Sequence, residues 1–153
     1  MYKRQVIIGR QNIKKYKSNI GTVKTKNAIK ESEKVISSFD VKTPGTNTLA
    51  TALSGGNQQK FVVGRELEDN PSLLIASQPT RGIDIGAQAL IWENLRTTRD
   101  QGLSVLLISA DLEELIGLSD RIIVFYQGRL VKELNAENVT PEDLGGYMTG
   151  LKK

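Results

Sequence analysis

The sequence predicts an α/β protein built on a mostly parallel sheet with flanking helices. Two continuous apolar runs, residues 72–76 and 103–109, have the composition of strands that are covered on both faces. Helical patterns alternate with these runs, and strands that alternate with helices imply parallel pairing through right-handed crossovers. A third apolar run, residues 121–126, leads through a Gln-Gly turn into residues 129–134, which predicts a hairpin at an antiparallel edge of the sheet.

The helices are predicted from apolar spacing and from capping residues. In residues 25–39 the apolar positions fall on one face at 3.6-residue spacing, and Thr25 is expected to be the N-cap. Asp84 is placed to cap a helix that ends at "DQGL", and residues 111–119 form a shorter helical pattern. Thr140, followed by a proline and two acids, predicts a C-terminal helix.

The composition excludes several kinds of site. The 153 residues are about one domain in length and contain no Cys and no His. Disulfides, thiolate nucleophiles, imidazole bases and metal sites built on Cys or His are therefore excluded. No apolar run approaches the ~18–20 residues that cross a bilayer, and no signal peptide is recognisable at the N-terminus. These features predict a soluble, cytosolic protein.

The positive charge is concentrated in the first third of the chain. Residues 1–50 contain 11 Lys/Arg and 3 Asp/Glu, or +8, and the other 103 contain 10 and 14, or −4, which gives the net charge of +4. A basic segment of this kind attracts nucleic acid or anionic lipid, and it equally forms an ordinary solvated face.

The run "LSGGNQQK", residues 53–60, is the most informative part of the sequence. Ser54 is placed where a helix begins, and Gly55 and Gly56 carry no side chain that would obstruct a ligand. Asn57 and Gln58 add uncharged polar groups to the first turn. Backbone N–H groups at the positive end of a helix suit a phosphate. A Ser-Gly-Gly helix cap accounts for three of these residues, whereas the whole run is more specific.

Together with "PTRGIDIGA" and "LLISADLEEL", this run resembles the ATP-binding cassette (ABC) ATPases of transporters over roughly residues 50–150. In detail it resembles the second half of the duplicated ATPases that serve sugar and nucleoside importers. The resemblance implies an incomplete P-loop NTPase fold. Residues 1–68 would form a helical subdomain with the signature helix. Residues 69–153 would form the C-terminal part of a RecA-like core, with the Walker B strand, D-loop, switch region, hairpin and last helix.

The glycine-rich Walker A loop of this family is absent from the sequence. Its pattern needs a Gly-Lys pair, and none of the 14 Gly is followed by Lys. The resemblance therefore implies a C-terminal piece of a longer protein, with the Walker A portion upstream of Met1. The piece alone is expected to be inactive. The full-length protein is expected to be an ABC-type ATPase that uses ATP and Mg²⁺.

Three residues depart from the family's catalytic pattern. Where the family has Asp-Glu after the strand at residues 72–76, to bind hydrated Mg²⁺ and to polarise water, the chain has Ser77 and Gln78. Ser is a weak neutral metal ligand and Gln cannot accept a proton. The family's switch His corresponds to Ala110. These residues act in cis, so we expect this half to bind ATP with little turnover, while Ser54 and Gly56 act in trans at the partner's site.

Two further residues follow from the resemblance. Asp84 corresponds to the D-loop aspartate, which joins the two cassettes across their interface, and its predicted role as a helix cap is compatible with this. Arg81 either pairs with phosphate or lies in solvent, and the sequence does not decide between them.

Three hypotheses for the function remain open. The first is an ATP-binding subunit at the cytoplasmic face of the membrane, whose partners are the N-terminal cassette of the same protein, transmembrane permease subunits and, indirectly, a solute-binding protein. The second is a regulatory or scaffold cassette that hydrolyses nothing. The third is a nucleic-acid-binding module. Since residues 1–50 offer only Tyr2, Tyr16 and Phe39 for base stacking, nucleic acid is not expected.

Overall fold

The computed structural model describes residues 5–152. The predicted alternation of helices and strands is confirmed, and the regular elements, in chain order, are α1 (Thr25–Ser38), α2 (Gly55–Leu67), β1 (Leu73–Ser77), α3 (Ile85–Asp100), β2 (Ser104–Ile108), α4 (Leu112–Leu118), β3 (Arg121–Tyr126), β4 (Arg129–Asn135) and α5 (Pro141–Met148). These elements divide between two compact units. The first unit comprises residues 5–72 and 80–91, and the second comprises residues 73–79 and 92–152.

The core of the first unit lies between α1 and α2. Val35 of α1 and Phe61 of α2 are almost fully buried, and Phe39 packs against the same cluster. A Cβ atom on Gly64 would lie 2.5 Å from Cδ2 of Phe39, so the absence of a side chain at Gly64 lets the ring pack directly on the α2 backbone. This contact joins the two helices that precede and carry the "LSGGNQQK" run.

The expected role of Thr25 as the cap of α1 is wrong. The N-cap is Lys24, no side chain caps the helix, and Thr25 is its first residue. The Lys24 N–H donates to the Tyr16 carbonyl at 2.8 Å, and the Lys24 ammonium donates to the Lys14 carbonyl. These two bonds hold Lys24 at the N-cap position, so the helix begins one residue earlier than it would if Thr25 were the cap.

The second unit contains two strand pairs. Strands β1 and β2 are parallel, with Leu73 opposite Ser104 and Ser77 opposite Ile108. Strands β3 and β4 are antiparallel, and the two turn residues Gln127 and Gly128 have φ values of 48° and 75°. Positive φ at both positions is typical of a tight hairpin turn whose twist matches the strands. The predicted hairpin is confirmed.

The expectation that the hairpin forms an edge of the parallel sheet is wrong. Within residues 5–152, β1–β2 and β3–β4 are separate two-stranded sheets. A groove lies along β2 and β3, lined by side chains that include Leu103, Val105, Arg121 and Ile123. The antiparallel pair therefore does not extend the parallel one.

The expectation that β1 and β2 are covered on both faces is also wrong. One face of this pair presents four large apolar side chains that are half exposed or more: Leu73 (52%), Ile75 (62%), Leu106 (51%) and Ile108 (50%). We call these four residues the open sheet face. The opposite face includes Ala76, which is buried, and Leu107, which packs against the second core. A continuous apolar run is typical of a strand that is covered on both faces, and the described residues cover only one face of this pair.

The second core lies where α4 and α5 pack on the hairpin. Its buried members are Leu115, Ile122, Val124, Ala136, Val139 and Leu144. Helix α5 begins as predicted, because the Thr140 hydroxyl accepts the Asp143 N–H at 3.1 Å. Among residues 5–152, no helix combines the length and the apolar character that a membrane span requires.

Candidate functional site

The first turn of α2 is organised by Ser54, as predicted. Ser54 has extended backbone angles (φ −62°, ψ 153°), and its Oγ accepts the Asn57 N–H at 3.4 Å. The Asn57 side chain adds a second contact, because its Nδ2 donates to the same Oγ at 2.9 Å. The helix therefore begins with a capping hydroxyl that is held from two directions by one residue.

The two glycines after Ser54 differ in their surroundings. A Cβ atom on Gly56 would lie 2.8 Å from the Ala87 Cβ and 3.0 Å from Asp84 Oδ2. On Gly55 it would meet only the Gly82 carbonyl oxygen, at 3.6 Å, which is an ordinary contact. Gly56 is thus required for close packing of α2 on the start of α3. Both glycines were expected to serve phosphate access, and the packing role of Gly56 was not predicted; the small residue at position 87 is the sequence signal for it.

Asp84 caps α3, as predicted. Its Oδ1 accepts the Ala87 N–H at 2.9 Å. The packing of Gly56 and the cap of α3 consequently involve the same two residues, so the starts of α2 and α3 are fixed by one set of contacts.

These contacts surround a surface hollow in the first unit, which we call the signature hollow. It is lined by Lys42, Ser54, Gly56, Asn57, Lys60, Asp84, Gly86 and Ala87. Four residues predicted to bind nucleotide are therefore brought together here: Ser54, Gly56, Asn57 and Asp84. The other two predicted residues, Gly55 and Gln58, are not part of the lining. The Gln58 amide instead donates to the Leu53 carbonyl at 3.0 Å.

Sequence reasoning missed the two lysines of the hollow. Lys42 lies in the basic first third of the chain, where nothing in the local pattern distinguishes it from its neighbours. Its ammonium donates to Asp40 at 2.6 Å, and the Lys60 ammonium lies 3.9 Å from the same carboxylate. The hydrogen bond from Lys42 lowers the pKa of the Asp40 carboxyl below its ordinary value. The charges of Lys42 and Lys60 are thus matched in number by those of Asp40, beside the hollow, and Asp84, in its lining.

A second group of predicted residues lies in the second unit, at the carboxyl ends of β1 and β2. Ser77 is the last residue of β1 and lies opposite Ile108, and Ala110 follows two residues later. The Gln78 N–H donates to the Ile108 carbonyl at 2.7 Å. Gln78 has φ of 50°, a left-handed conformation that costs a non-glycine residue on the order of 1 kcal/mol. The backbone here is thus held in a defined turn.

The chemistry of this strand end does not fit a divalent cation. Mg²⁺ prefers carboxylate oxygens, and Ser77 and Gln78 provide one hydroxyl and one amide in their place. An amide oxygen does not accept a proton near neutral pH, so Gln78 also lacks the basicity to activate water. We derive no catalytic step from these residues.

Comparison with known proteins identifies the family. The chain is 46% identical over 137 residues to the guanosine import ATP-binding protein NupO of Bacillus subtilis (strain 168), an alignment that covers 90% of this chain and 27% of that protein. The chain belongs to the ATP-binding cassette family. The chain is also 40% identical over 136 residues to the ribose import ATP-binding protein RbsA of Clostridium tetani (strain Massachusetts / E88). This alignment covers 89% of the chain and 27% of that protein.

The fold of the ABC chain agrees with this assignment. A dimeric ATP-binding cassette in a post-hydrolysis state, bound to ADP and Pi, matches it with a TM-score of 0.65 at 20% identity, covering 88% of this chain and 54% of that chain. No family model matches the ABC chain. The ABC chain spans about a quarter (27%) of the length of the import ATP-binding proteins named above.

Proposed function

We propose that this chain is the part of an importer's ATP-binding subunit that presents α2 to a nucleotide bound by a partner cassette. The observation that carries the proposal is the contrast between the two groups of residues. The signature hollow has a capped helix start with a hydroxyl and backbone N–H groups, whereas the strand end at Ser77 and Gln78 lacks carboxylates. The first arrangement suits a phosphate group, and the second does not suit hydrolysis.

The start of α2 supplies the hydrogen-bond donors in this proposal. ATP supplies the phosphate chain whose terminal bond is broken, and it lies with Mg²⁺ in the partner's site. The Ser54 hydroxyl and the free N–H groups of the first turn of α2 donate to the terminal phosphate. Gly56 and Asp84 fix the start of α2 against α3, so that these donors keep their direction.

In this proposal, the nucleotide site of the cassette that contains this chain binds ATP with little turnover. Ser77, Gln78 and Ala110 offer neither a charged ligand for Mg²⁺ nor a base for water. One site of a pair of cassettes therefore has low activity while the other hydrolyses ATP. Hydrolysis at a single site is sufficient to open a pair of cassettes that ATP has closed, because the open and closed states differ in their affinity for nucleotide.

The similarity to guanosine and ribose import proteins supports a nucleoside or sugar as the transported class. The partners in this proposal are a second cassette, permease subunits and a solute-binding protein. The site of action is the cytoplasmic face of the membrane, where the permease subunits present their coupling surface.

The proposal is tested by replacing Ser54 in the import subunit that contains this chain, assembled with its permease. Ser54→Asp keeps a good helix cap and removes the donor. We expect ATP hydrolysis to fall roughly 10²–10³-fold, as for the loss of one donor to a transition-state oxyanion. Ser54→Thr keeps both the cap and the donor and is the matched control, with activity near wild type.

Gln78→Ala provides the second arm of this experiment. Since Gln78 cannot act as a base, we expect hydrolysis to stay within about threefold of wild type. Full activity of Ser54→Asp would refute the role of α2 in trans. An equal loss in Ser54→Asp and Gln78→Ala would refute the assignment of turnover to the partner's site alone.

A further inference from the structure

The side chain of Asn57 bridges two groups that are distant in sequence. Its Oδ1 accepts the backbone N–H of Lys42 at 2.7 Å, and its Nδ2 donates to Ser54 Oγ at 2.9 Å. A backbone N–H can only donate, so it must face the oxygen of the Asn57 amide. The orientation of the amide is thereby fixed, and its NH₂ group must face Ser54.

This orientation determines the direction of the Ser54 hydroxyl hydrogen. A serine hydroxyl has two lone pairs and one hydrogen. Both lone pairs of Ser54 Oγ face donors of Asn57, namely the backbone N–H at 3.4 Å and Nδ2 at 2.9 Å. The hydrogen therefore takes the remaining position, away from Asn57. In the described part of the chain, no acceptor for this hydrogen is found.

We propose that Asn57 is the positioning residue that makes the Ser54 hydroxyl a donor to phosphate, and that it is not itself a nucleotide ligand. This inference rests on the proposed function of the signature hollow, and it revises the sequence-based expectation that Asn57 binds nucleotide directly. Both polar ends of its side chain are already engaged within the first unit. The substrate group recognised through Ser54 is a terminal phosphate oxygen.

The charges around the hollow explain why the direction of one hydroxyl matters. The lining contains Lys42, Lys60 and Asp84, and both lysines lie within 4 Å of the Asp40 carboxylate beside the hollow, so these four side chains together carry no net charge. The attraction for an anion then depends on the N–H groups of the helix start and on the Ser54 hydroxyl. A hydroxyl that turned its lone pairs outward would repel the same anion.

The first experiment reverses the polarity of the bridge in the assembled import subunit. In Asn57→Asp the carboxylate accepts from both Lys42 N–H and the Ser54 hydroxyl, so the hydrogen turns inward. We expect kcat for ATP hydrolysis to fall roughly tenfold or more. The melting temperature of the 153-residue chain should stay the same or rise, because a negative charge in the first turn of a helix is favourable.

The control for added charge is Gln59→Glu, which places the same charge two residues further along α2 at a residue outside the hollow. It should keep kcat within about threefold of wild type. A fall in kcat that accompanies a lower melting temperature in Asn57→Asp would overturn the proposal, since a purely structural role loses activity and stability together. An equal loss in Gln59→Glu would overturn it as well.

The second experiment is a double-mutant cycle that avoids charge. If Asn57 acts through Ser54, Asn57→Ala lowers kcat several-fold in the wild-type background and by no more than about twofold in a Ser54→Ala background. Equal effects in both backgrounds would show that Asn57 acts independently of Ser54 and would overturn the proposal. If Ser54→Ala alone leaves hydrolysis unchanged, the proposed function fails, which distinguishes that outcome from a failure of the Asn57 assignment alone.

Discussion

The two units of the chain differ in how much of their final environment they contain. In the first unit, the starts of α2 and α3 are fixed by contacts within the unit, through Gly56, Asp84 and Ala87. In the second unit, β1 and β2 leave an apolar face in solvent and end in neutral residues. The difference shows that the proposed donor site is held by contacts inside one unit, whereas one face of the β1–β2 pair has no cover among the described residues.

A large effect on stability is expected from Gly56→Ala, which would disrupt the close contact in the first unit. The new methyl group would lie 2.8 Å from the Ala87 Cβ and 3.0 Å from Oδ2 of Asp84, whose carboxylate caps α3. Overpacking of this kind costs about 1–3 kcal/mol. The free energy of unfolding of the 153-residue chain, measured by urea denaturation, is expected to fall by that amount.

Gly55→Ala is the matched control for this prediction. Its methyl group meets only a carbonyl oxygen at 3.6 Å, and an alanine in place of a glycine stabilises a helix by about 0.5–1 kcal/mol. The double variant Gly56→Ala/Ala87→Gly should recover part of the loss. A Gly56→Ala variant as stable as Gly55→Ala would show that α2 and α3 are not in close contact.

A moderate contrast is expected between exposed and buried positions of the second unit. Ile75→Thr changes the open sheet face, where the side chain is already 62% exposed, so the free energy of unfolding should change by less than about 0.5 kcal/mol. Ile122→Thr makes the same change at a residue that is 4% exposed, and it should cost about 1–3 kcal/mol. Binding of an apolar fluorescent dye should decrease in Ile75→Thr/Leu106→Thr. Equal costs at the two positions would mean that the open face is covered in the isolated chain.

The smallest effect concerns helix α5, where the Asp143 carboxylate is paired with donors that belong to the second unit itself. A hydrogen bond from the Lys152 ammonium, with a second from the Thr140 hydroxyl, lowers the pKa of the Asp143 carboxyl. The stabilisation is present above the unfolded-state pKa of about 3.9 and is lost as the pH falls through the lower folded-state pKa. In an NMR titration, Lys152→Gln should raise the Asp143 midpoint toward its ordinary value.

Lys132→Gln serves as the charge control for the titration. Its ammonium lies over the Tyr147 ring of α5, 5.5 Å from the centroid, and has no contact with Asp143. The Asp143 midpoint should be unchanged in this variant. A midpoint at the ordinary value in the wild-type chain would contradict the ion pair.

The sequence was sufficient to predict features that depend on neighbouring residues. Asp84 and Thr140 cap helices as expected, and the Gln127-Gly128 turn closes the predicted hairpin, because each depends on local backbone angles and one short side chain. The cap at Thr25 failed, because a contact with Tyr16 fixes the preceding residue. Local patterns do not report such contacts.

Features that depend on distant residues were missed for the same reason. The role of Gly56 in packing depends on Ala87, and the position of Lys42 at the signature hollow depends on Asn57. The exposure of Ile75 could not be inferred either, since an apolar run reports the preference of the side chains and not whether a covering surface is present.

The turn at Gln78 has a consequence for which side chains this position accepts. Its left-handed backbone is held by the bond to the Ile108 carbonyl, which involves no side-chain atom. Glu and Gln have nearly the same size and shape, so an exchange between them leaves both this bond and the packing unchanged. The fold therefore accepts Glu or Gln at this position equally well, and the choice between them is a matter of chemistry and not of folding.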